Sequence, residues 1–286
     1  MKKKVIIIYE KSNKIGFGHY SRSLRLKKKL LNKFKIKLYE FKDVKYLIKK
    51  ITKDKYNLHI FDLKNYPKKI EQLKNIIIFE DIKKKFKDII SINPLDLNLK
   101  NSGPKYFLYP ESFIKNKKFD YSKKKLNILI VQGRNDSNNQ LKKIVNFLIT
   151  NVDKLKFNFK INIKVKDEFK DKNSKLIKNL PNFKDEFEIY KDIDFAISGV
   201  GNTSFELGFF GIPTIHYSVE KREIIRAKIF QKLKLAPYIK AEKLHLIIKE
   251  LNKLYMDDNY RKKIINRRIK FFRKENYIEK IINEII

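Results

Sequence analysis

The stretch Lys14-Ile15-Gly16-Phe17-Gly18-His19-Tyr20-Ser21-Arg22 lies between a hydrophobic run, Val5–Tyr9, and an amphipathic run, Tyr20–Phe34. Strand, glycine turn and helix start, in that order, aim backbone N–H groups and a helix N-terminus at an anionic ligand. A histidine in such a turn adds a group that can move a proton. Further along, Ser198-Gly199-Val200-Gly201-Asn202-Thr203-Ser204-Phe205-Glu206 repeats the arrangement after the apolar run Asp194–Ser198. It reads as the other wall of one cleft. The chain has only eight glycines, and seven of them fall at 16 and 18, at 133 and between 199 and 211. A glycine-poor chain that places them there needs positive φ or close backbone approach at those turns.

Around these turns the texture is that of alternating strands and helices. Val5–Tyr9, Lys35–Phe41, Asn57–Leu63, Asn75–Phe79 and Ile89–Asn93 are short β-rich runs, expected as strands of a parallel sheet. Asp43–Lys53 and Tyr66–Lys74 read as helices between them, and Lys105–Tyr109 as one more strand. The polar, patternless run Ile114–Lys125 reads as a linker. A second array follows: a buried-type strand at Leu126–Gln132, a helix from about Asn138 to Thr150, and a more exposed alternating strand at Phe157–Val165. Helices begin at Thr203–Phe210 and continue from Glu220 to the end, with Tyr260–Ile286 long, basic and amphipathic. The expected fold is α/β: two Rossmann-like domains, residues 1–118 and 119–286, with parallel sheets facing a cleft and C-terminal helices packing back.

Composition narrows the class. A chain of 286 residues is long enough for two domains, and 42% hydrophobic residues exclude global disorder. Cysteine is absent, which excludes disulfides and thiolate chemistry. The start, Met1-Lys2-Lys3-Lys4, resembles that of a signal peptide, but the apolar core that follows ends at Tyr9-Glu10. No stretch approaches the ~18 apolar residues of a membrane span, so a soluble cytoplasmic protein is expected. The net charge of +36, 68 Lys and Arg against 32 Asp and Glu, is spread along the whole chain. An even spread fits compositional drift, with weak binding to polyanions or anionic membranes as its side effect, and no specific nucleic-acid partner. A monomer is expected.

His19 is the candidate catalytic group, because a helix N-terminus disfavours the imidazolium form and leaves the ring fit to accept a proton. Arg22, one turn on, would pair with a phosphate or a carboxylate. Gly16 and Gly18, with Ser21 in place of a third glycine and Glu40 ending the next strand, also come close to a dinucleotide fingerprint, so an NAD enzyme is a competing reading. In the second cluster Gly199 and Gly201 allow close approach, and the helix opened by Thr203 and Ser204 offers N–H groups to a pyrophosphate, with Asn202 a further substrate-binding residue of that turn. Glu206 would hold ribose hydroxyls, or else close a capping box with Thr203. Asp62, Gly133 and Asp136 end or follow strands, at the carboxyl edge where open α/β sheets bind ligands. His59 and His216, among apolar residues, read as structural, and His245 as a surface residue.

Ile15-Gly16-Phe17-Gly18-His19-Tyr20-Ser21-Arg22 resembles the G-x-G-H-x-x-R opening of the UDP-acetamido-sugar hydrolases of the pseudaminic-acid pathway and the related spore-coat polysaccharide proteins, which share the GT-B architecture of MurG-type enzymes. The resemblance runs to about residue 235. Phe61-Asp62 is similar to the family's strand-end aspartate, and Phe79-Glu80-Asp81 to its acidic turn. Gly103 through Tyr106-Phe107-Leu108 to Phe113 is similar to its G-x-x-Y-x-L…F segment. Gln132-Gly133-Arg134-Asn135-Asp136 resembles its G-G-x-D turn, and Ser198–Glu206 with Gly211-Ile212-Pro213 its uridine-diphosphate segment. The resemblance implies removal of UDP from an activated acetamido sugar by water attack at the anomeric carbon, with no metal and no cofactor. His19 would be the base, Glu206 the ribose ligand, the turn at 201–204 the pyrophosphate cradle, and Tyr106 a substrate contact. Pro110 in place of an arginine, Arg134 in place of the second glycine, and Glu220-Lys221 in place of an Asn-Gln pair depart from the pattern. The alternatives are a glycosyltransferase with the same donor site, working at an anionic membrane, and an inactive nucleotide-sugar- or polyanion-binding relative.

Overall fold

The computed structural model describes residues 2–10, 18–43, 46–47, 49, 51, 54–63, 65–79, 89–97, 100–110, 113, 117–132, 139–164, 175–180 and 186–286. Its contacts divide the chain into two units, Met1–Tyr109 with Glu275–Ile286, and Pro110–Lys274.

The first unit is built on a five-stranded all-parallel sheet: β1 (Lys4–Tyr9), β2 (Lys35–Glu40), β3 (Leu58–Asp62), β4 (Ile76–Phe79) and β5 (Ile90–Ile92). The strand order is β2-β1-β3-β4-β5. Successive side chains of a strand point to opposite faces. Val5, Ile7, Leu58 and Ile60 therefore fill one core, while Ile6, Ile8, Phe61 and Ile78 fill another. Being covered on both sides, these strands carry unbroken apolar runs, whereas the edge strand β2 keeps its lysines in water. Helix α1 (Gly18–Leu30) buries Leu26 and Leu30 in the first of these cores. Since β2 and β3 leave β1 in opposite directions across the sheet, a crevice opens at the carboxyl ends of β1 and β3.

The second unit has a six-stranded parallel sheet: β6 (Leu126–Val131), β7 (Phe159–Ile163), β8 (Ile177–Asn179), β9 (Phe195–Ser198), β10 (Thr214–Tyr217) and β11 (Tyr238–Ile239). Its order, β11-β10-β9-β6-β7-β8, is that of a doubly wound dinucleotide-type domain, with the reversal between β6 and β9. Around it lie α2 (Gln140–Thr150), α3 (Glu186–Tyr190), α4 (Asn202–Phe209), α5 (Lys221–Lys232), α6 (Leu246–Met256) and α7 (Asp258–Phe272). α4 packs on α7 so closely that a Cβ on Gly208 would lie 2.2 Å from the Phe272 ring.

Several elements differ from the sequence reading. Lys105–Tyr109 is not a strand: Gly103 at φ 88° and Pro104 set up the 3₁₀ turn Pro104–Tyr106. Tyr66–Lys74 holds only the 3₁₀ turn Lys68–Gln72. Phe157–Val165 is not an exposed strand, because β7 lies inside the sheet between β6 and β8 and buries Phe159, Ile161, Asn162 and Ile163. The last stretch is two helices, α7 and α8 (Ile278–Ile285), separated at residues 273–277. The contact division falls after Tyr109 where the sequence suggested 118, and it returns residues 275–286 to the first unit. The reason is apolar burial: Ile278, Ile281 and Ile282 belong to the same core as Val5, Ile7 and Leu26.

Candidate functional site

Two clusters of polar residues stand at carboxyl ends of strands, one in each unit. In the first unit β1 and β3 run in register, with Tyr9 beside Asp62. Asp62 is 1% exposed, and its carboxylate faces α1, whose first turns carry His19 and Arg22. His19 Nδ1 lies 2.5 Å from Asp62 Oδ1. Arg22 donates from Nε to Oδ2 at 2.7 Å and from Nη2 to Oδ1 at 2.5 Å. The guanidinium lies 5.1 Å above the Phe79 ring, which covers it from water. Burial alone would push the Asp62 carboxyl up, but the charge and hydrogen bonds of Arg22, then those of His19, outweigh it and hold the group below its ordinary value of 3.8.

An ionised carboxylate only accepts hydrogen bonds, so the proton in the His19–Asp62 contact sits on Nδ1, and in a neutral ring the lone pair is then on Nε2. The side chain of His19 is 13% exposed. This is a histidine oriented by a carboxylate, which stabilises the positive ring formed on proton uptake. The helix dipole at His19, which disfavours a positive ring, is opposed by the negative charge of Asp62. Arg22 pairs with a protein carboxylate, as one of its two expected partners. Gly18 is the first residue of α1, while Gly16 lies outside the described residues. Tyr106 is not gathered here; it is buried in the core that also holds Ile278, its hydroxyl donating to Asn101 Oδ1 at 3.3 Å.

In the second unit β9 ends at Ser198, and Gly199-Val200-Gly201 leads into α4, with Gly201 as its N-cap. Asn202 and Thr203 are half-buried at the helix start, where first-turn N–H groups lack partners within the helix. Ser204 is turned inward: its amide donates to the Gly201 carbonyl at 3.1 Å, and its hydroxyl lies 3.2 Å from His216 Nε2. His216 lies 3.3 Å from the Ser198 carbonyl through Nδ1, and burial, with the nearby charge of Arg268, pushes it down to about 3. A neutral ring therefore donates from Nδ1 to Ser198 and accepts the Ser204 hydroxyl at Nε2. Both residues belong to the core, as expected for His216 and contrary to the cradle role expected of Ser204. His59 is likewise buried, with Nδ1 3.1 Å from the Lys74 carbonyl.

Glu206 is buried and accepts a 2.8 Å hydrogen bond from the Tyr190 hydroxyl. The N-cap is Gly201, which has no side chain to cap with, so Thr203 and Glu206 do not form the alternative capping box. Three residues that sequence reasoning missed adjoin the glycine turn: Glu223, Ser218 and Arg226. Ser218 Oγ donates to Glu223 Oε2 at 2.8 Å, and Arg226 donates to the Val200 carbonyl at 3.2 Å. In sequence, an acid in the first turn of a helix signals only dipole matching. Gly133 and Asp136, expected to bind substrate at the carboxyl edge, lie outside the described residues, as does Arg134. Among the described residues no group of three His, Asp or Glu is placed to hold a metal ion. Nor is any described helix long and apolar enough to cross a membrane.

No family model matches the chain. An uncharacterized protein of Methanocaldococcus jannaschii is 27% identical over 269 residues, covering 74% of this chain and 55% of the relative, so the chain spans about half the length of the curated relative it matches. Solved structures align over nearly all of it. The glycosyltransferase of kitacinnamycin aligns with a TM-score of 0.71 at 10% identity, over 100% of both chains. MurG of Acinetobacter baumannii gives 0.61 at 13% over 99% of each. The spinosyn rhamnosyltransferase SpnG, complexed with thymidine diphosphate, gives 0.64 at 9% over 94% of this chain and 95% of its own. At such identities the likeness is one of fold: α/β of the GT-B type, with a parallel sheet in each unit.

Proposed function

We propose that the chain is a nucleotide-sugar hydrolase that releases UDP from a UDP-activated acetamido sugar, in the making of nonulosonic acids or surface polysaccharide. The nucleotide is assigned to the second unit, with its diphosphate at Gly201, Asn202 and Thr203; the resemblance adds Glu206 for the ribose. In this reading His19 Nε2 takes a proton from water as the water oxygen bonds to the anomeric carbon. The bond from that carbon to the diphosphate oxygen breaks, and UDP departs with the electron pair. Asp62 offsets the charge gained by the ring, and Arg22 holds Asp62 ionised.

The observation that carries the reading is the 2.5 Å His19–Asp62 contact at the carboxyl edge of β3, backed by Arg22. A histidine that only packs does not need a buried, ionised carboxylate on its ring nitrogen. A glycosyltransferase is the second reading, favoured by the likeness to the glycosyltransferase of kitacinnamycin and to the spinosyn rhamnosyltransferase. There the same histidine would take its proton from a sugar or lipid hydroxyl.

The test is UDP release from UDP-acetamido sugars in the absence of an acceptor, comparing wild type with His19→Ala. Release by the wild type and its loss in the variant are expected. UDP binding without release would turn the assignment to the transferase, and absence of both would overturn the nucleotide site itself.

A further inference from the structure

The glycine turn of the second unit already faces an anion, and the chain supplies it. Glu223, in the first turn of α5, does not cap its own helix; its carboxylate reaches back to the turn that opens α4. A Cβ built on Gly199 would lie 2.5 Å from Glu223 Oε2 and 3.1 Å from Oε1, and one on Gly201 would lie 3.8 Å from Oε1. Ser218 donates to Oε2 at 2.8 Å and fixes the carboxylate there. One turn further along α5, Arg226 is tied to the carbonyl of Val200, in the middle of the same turn. The helix is thus anchored beside the turn.

We infer that Glu223 is an internal competitor for the diphosphate, opposing free UDP more strongly than the UDP-sugar. The inference rests on the proposed nucleotide site. Negative charge is favoured beside the first turn of a helix, which draws a diphosphate there, and the Glu223 carboxylate lies over Gly199 and Gly201, immediately before that turn. They cannot share the turn without repulsion or the withdrawal of Glu223. A terminal phosphate loses a second proton near neutral pH, so free UDP carries one more negative charge than the same diphosphate esterified to a sugar. The repulsion is therefore larger for the product, and Glu223 speeds its departure at the cost of some affinity for the substrate.

Calorimetry with UDP and with UDP-N-acetylglucosamine on wild type, Glu223→Gln and Glu242→Gln tests this. Glu223→Gln keeps the shape and the acceptor for Ser218, and Glu242→Gln removes the same charge at an exposed position. The expected result is roughly tenfold tighter UDP binding by Glu223→Gln, equivalent to about 1.4 kcal/mol, a smaller gain for the UDP-sugar, and no change for Glu242→Gln. Unchanged or weaker UDP binding by Glu223→Gln, with the wild type binding UDP, overturns the inference and leaves the nucleotide site standing. Equal gains for both ligands overturn the discrimination against product. Failure of the wild type to bind either ligand removes the nucleotide site, and the inference with it.

Discussion

Asp62 is the residue whose loss would strike folding and chemistry together, and His19 the one that separates them. Asp62 is buried, and its charge is matched by Arg22 and contacted by His19. Asp62→Ala would leave Arg22 as a buried cation, at a cost of about 3–5 kcal/mol in denaturant unfolding. The depressed carboxyl also fixes a sign. Its folded value lies below 3.8, so the stability it contributes is present above the unfolded value and is lost as pH falls through the folded one. Asp62→Asn should flatten the stability curve below about pH 4, measured by denaturant midpoints across that range; an unchanged acid slope would mean that the carboxylate is not ionised in the fold. His19→Ala leaves the Arg22–Asp62 pair in place. It should change the melting temperature little while lowering UDP release by about 10²–10⁴-fold. A large drop in melting temperature would mark a structural histidine instead.

The glycines of the second unit connect residue to element. Two reasons are expected of them, positive φ or close approach, and both occur. At Gly211 they coincide: φ is 72°, and a Cβ would lie 2.8 Å from Ile269 Cγ1. At Gly208 the reason is the Phe272 ring, where α4 meets α7. Gly208→Ala should cost about 1–3 kcal/mol by overpacking, and Gly208→Ala with Phe272→Leu should cost less than the sum of the two single changes. Additive costs would show that the two helices do not meet through this pair. The buried strands were legible because strands covered on both faces need unbroken apolar runs, and Val5–Tyr9 and Leu126–Val131 have little else. Two short elements were not. Ile177–Asn179 and Tyr238–Ile239 pair at sheet edges through backbone hydrogen bonds, which impose no side-chain pattern. Likewise, Asp62 was readable as a strand end, but its contact with His19 depends on the β1–β3 register, and the reach of Glu223 depends on the path from β10 into α5. Neither is encoded locally.

At the scale of the whole chain, the final twelve residues return to the unit in which the chain begins. Helix α8 buries Ile278 and Ile282 completely beside residues of β1, β3 and α1. Tyr277 donates its amide to the Lys105 carbonyl at 2.8 Å, and Asn276 donates to the Phe107 carbonyl at 3.0 Å. On the outer side, Glu279 meets Lys33 at 2.6 Å and Lys29 at 3.3 Å, both on or next to α1. Those ion pairs are partly exposed and contribute little, so the stabilisation lies in the isoleucines. Each fully buried side chain of this type contributes about 1.5–3 kcal/mol, and truncation to alanine costs about 2–5 kcal/mol once the cavity is included. Ile282→Ala should therefore weaken the first unit specifically. In hydrogen exchange, the amides of β1 and β3 should lose protection while those of β6 and β9 keep theirs. The units have separate cores, so a cavity in one leaves the burial of the other intact. Equal loss in both sheets would show that they unfold as one cooperative body, and the assignment of the C-terminal helix to the first unit would then have no energetic meaning.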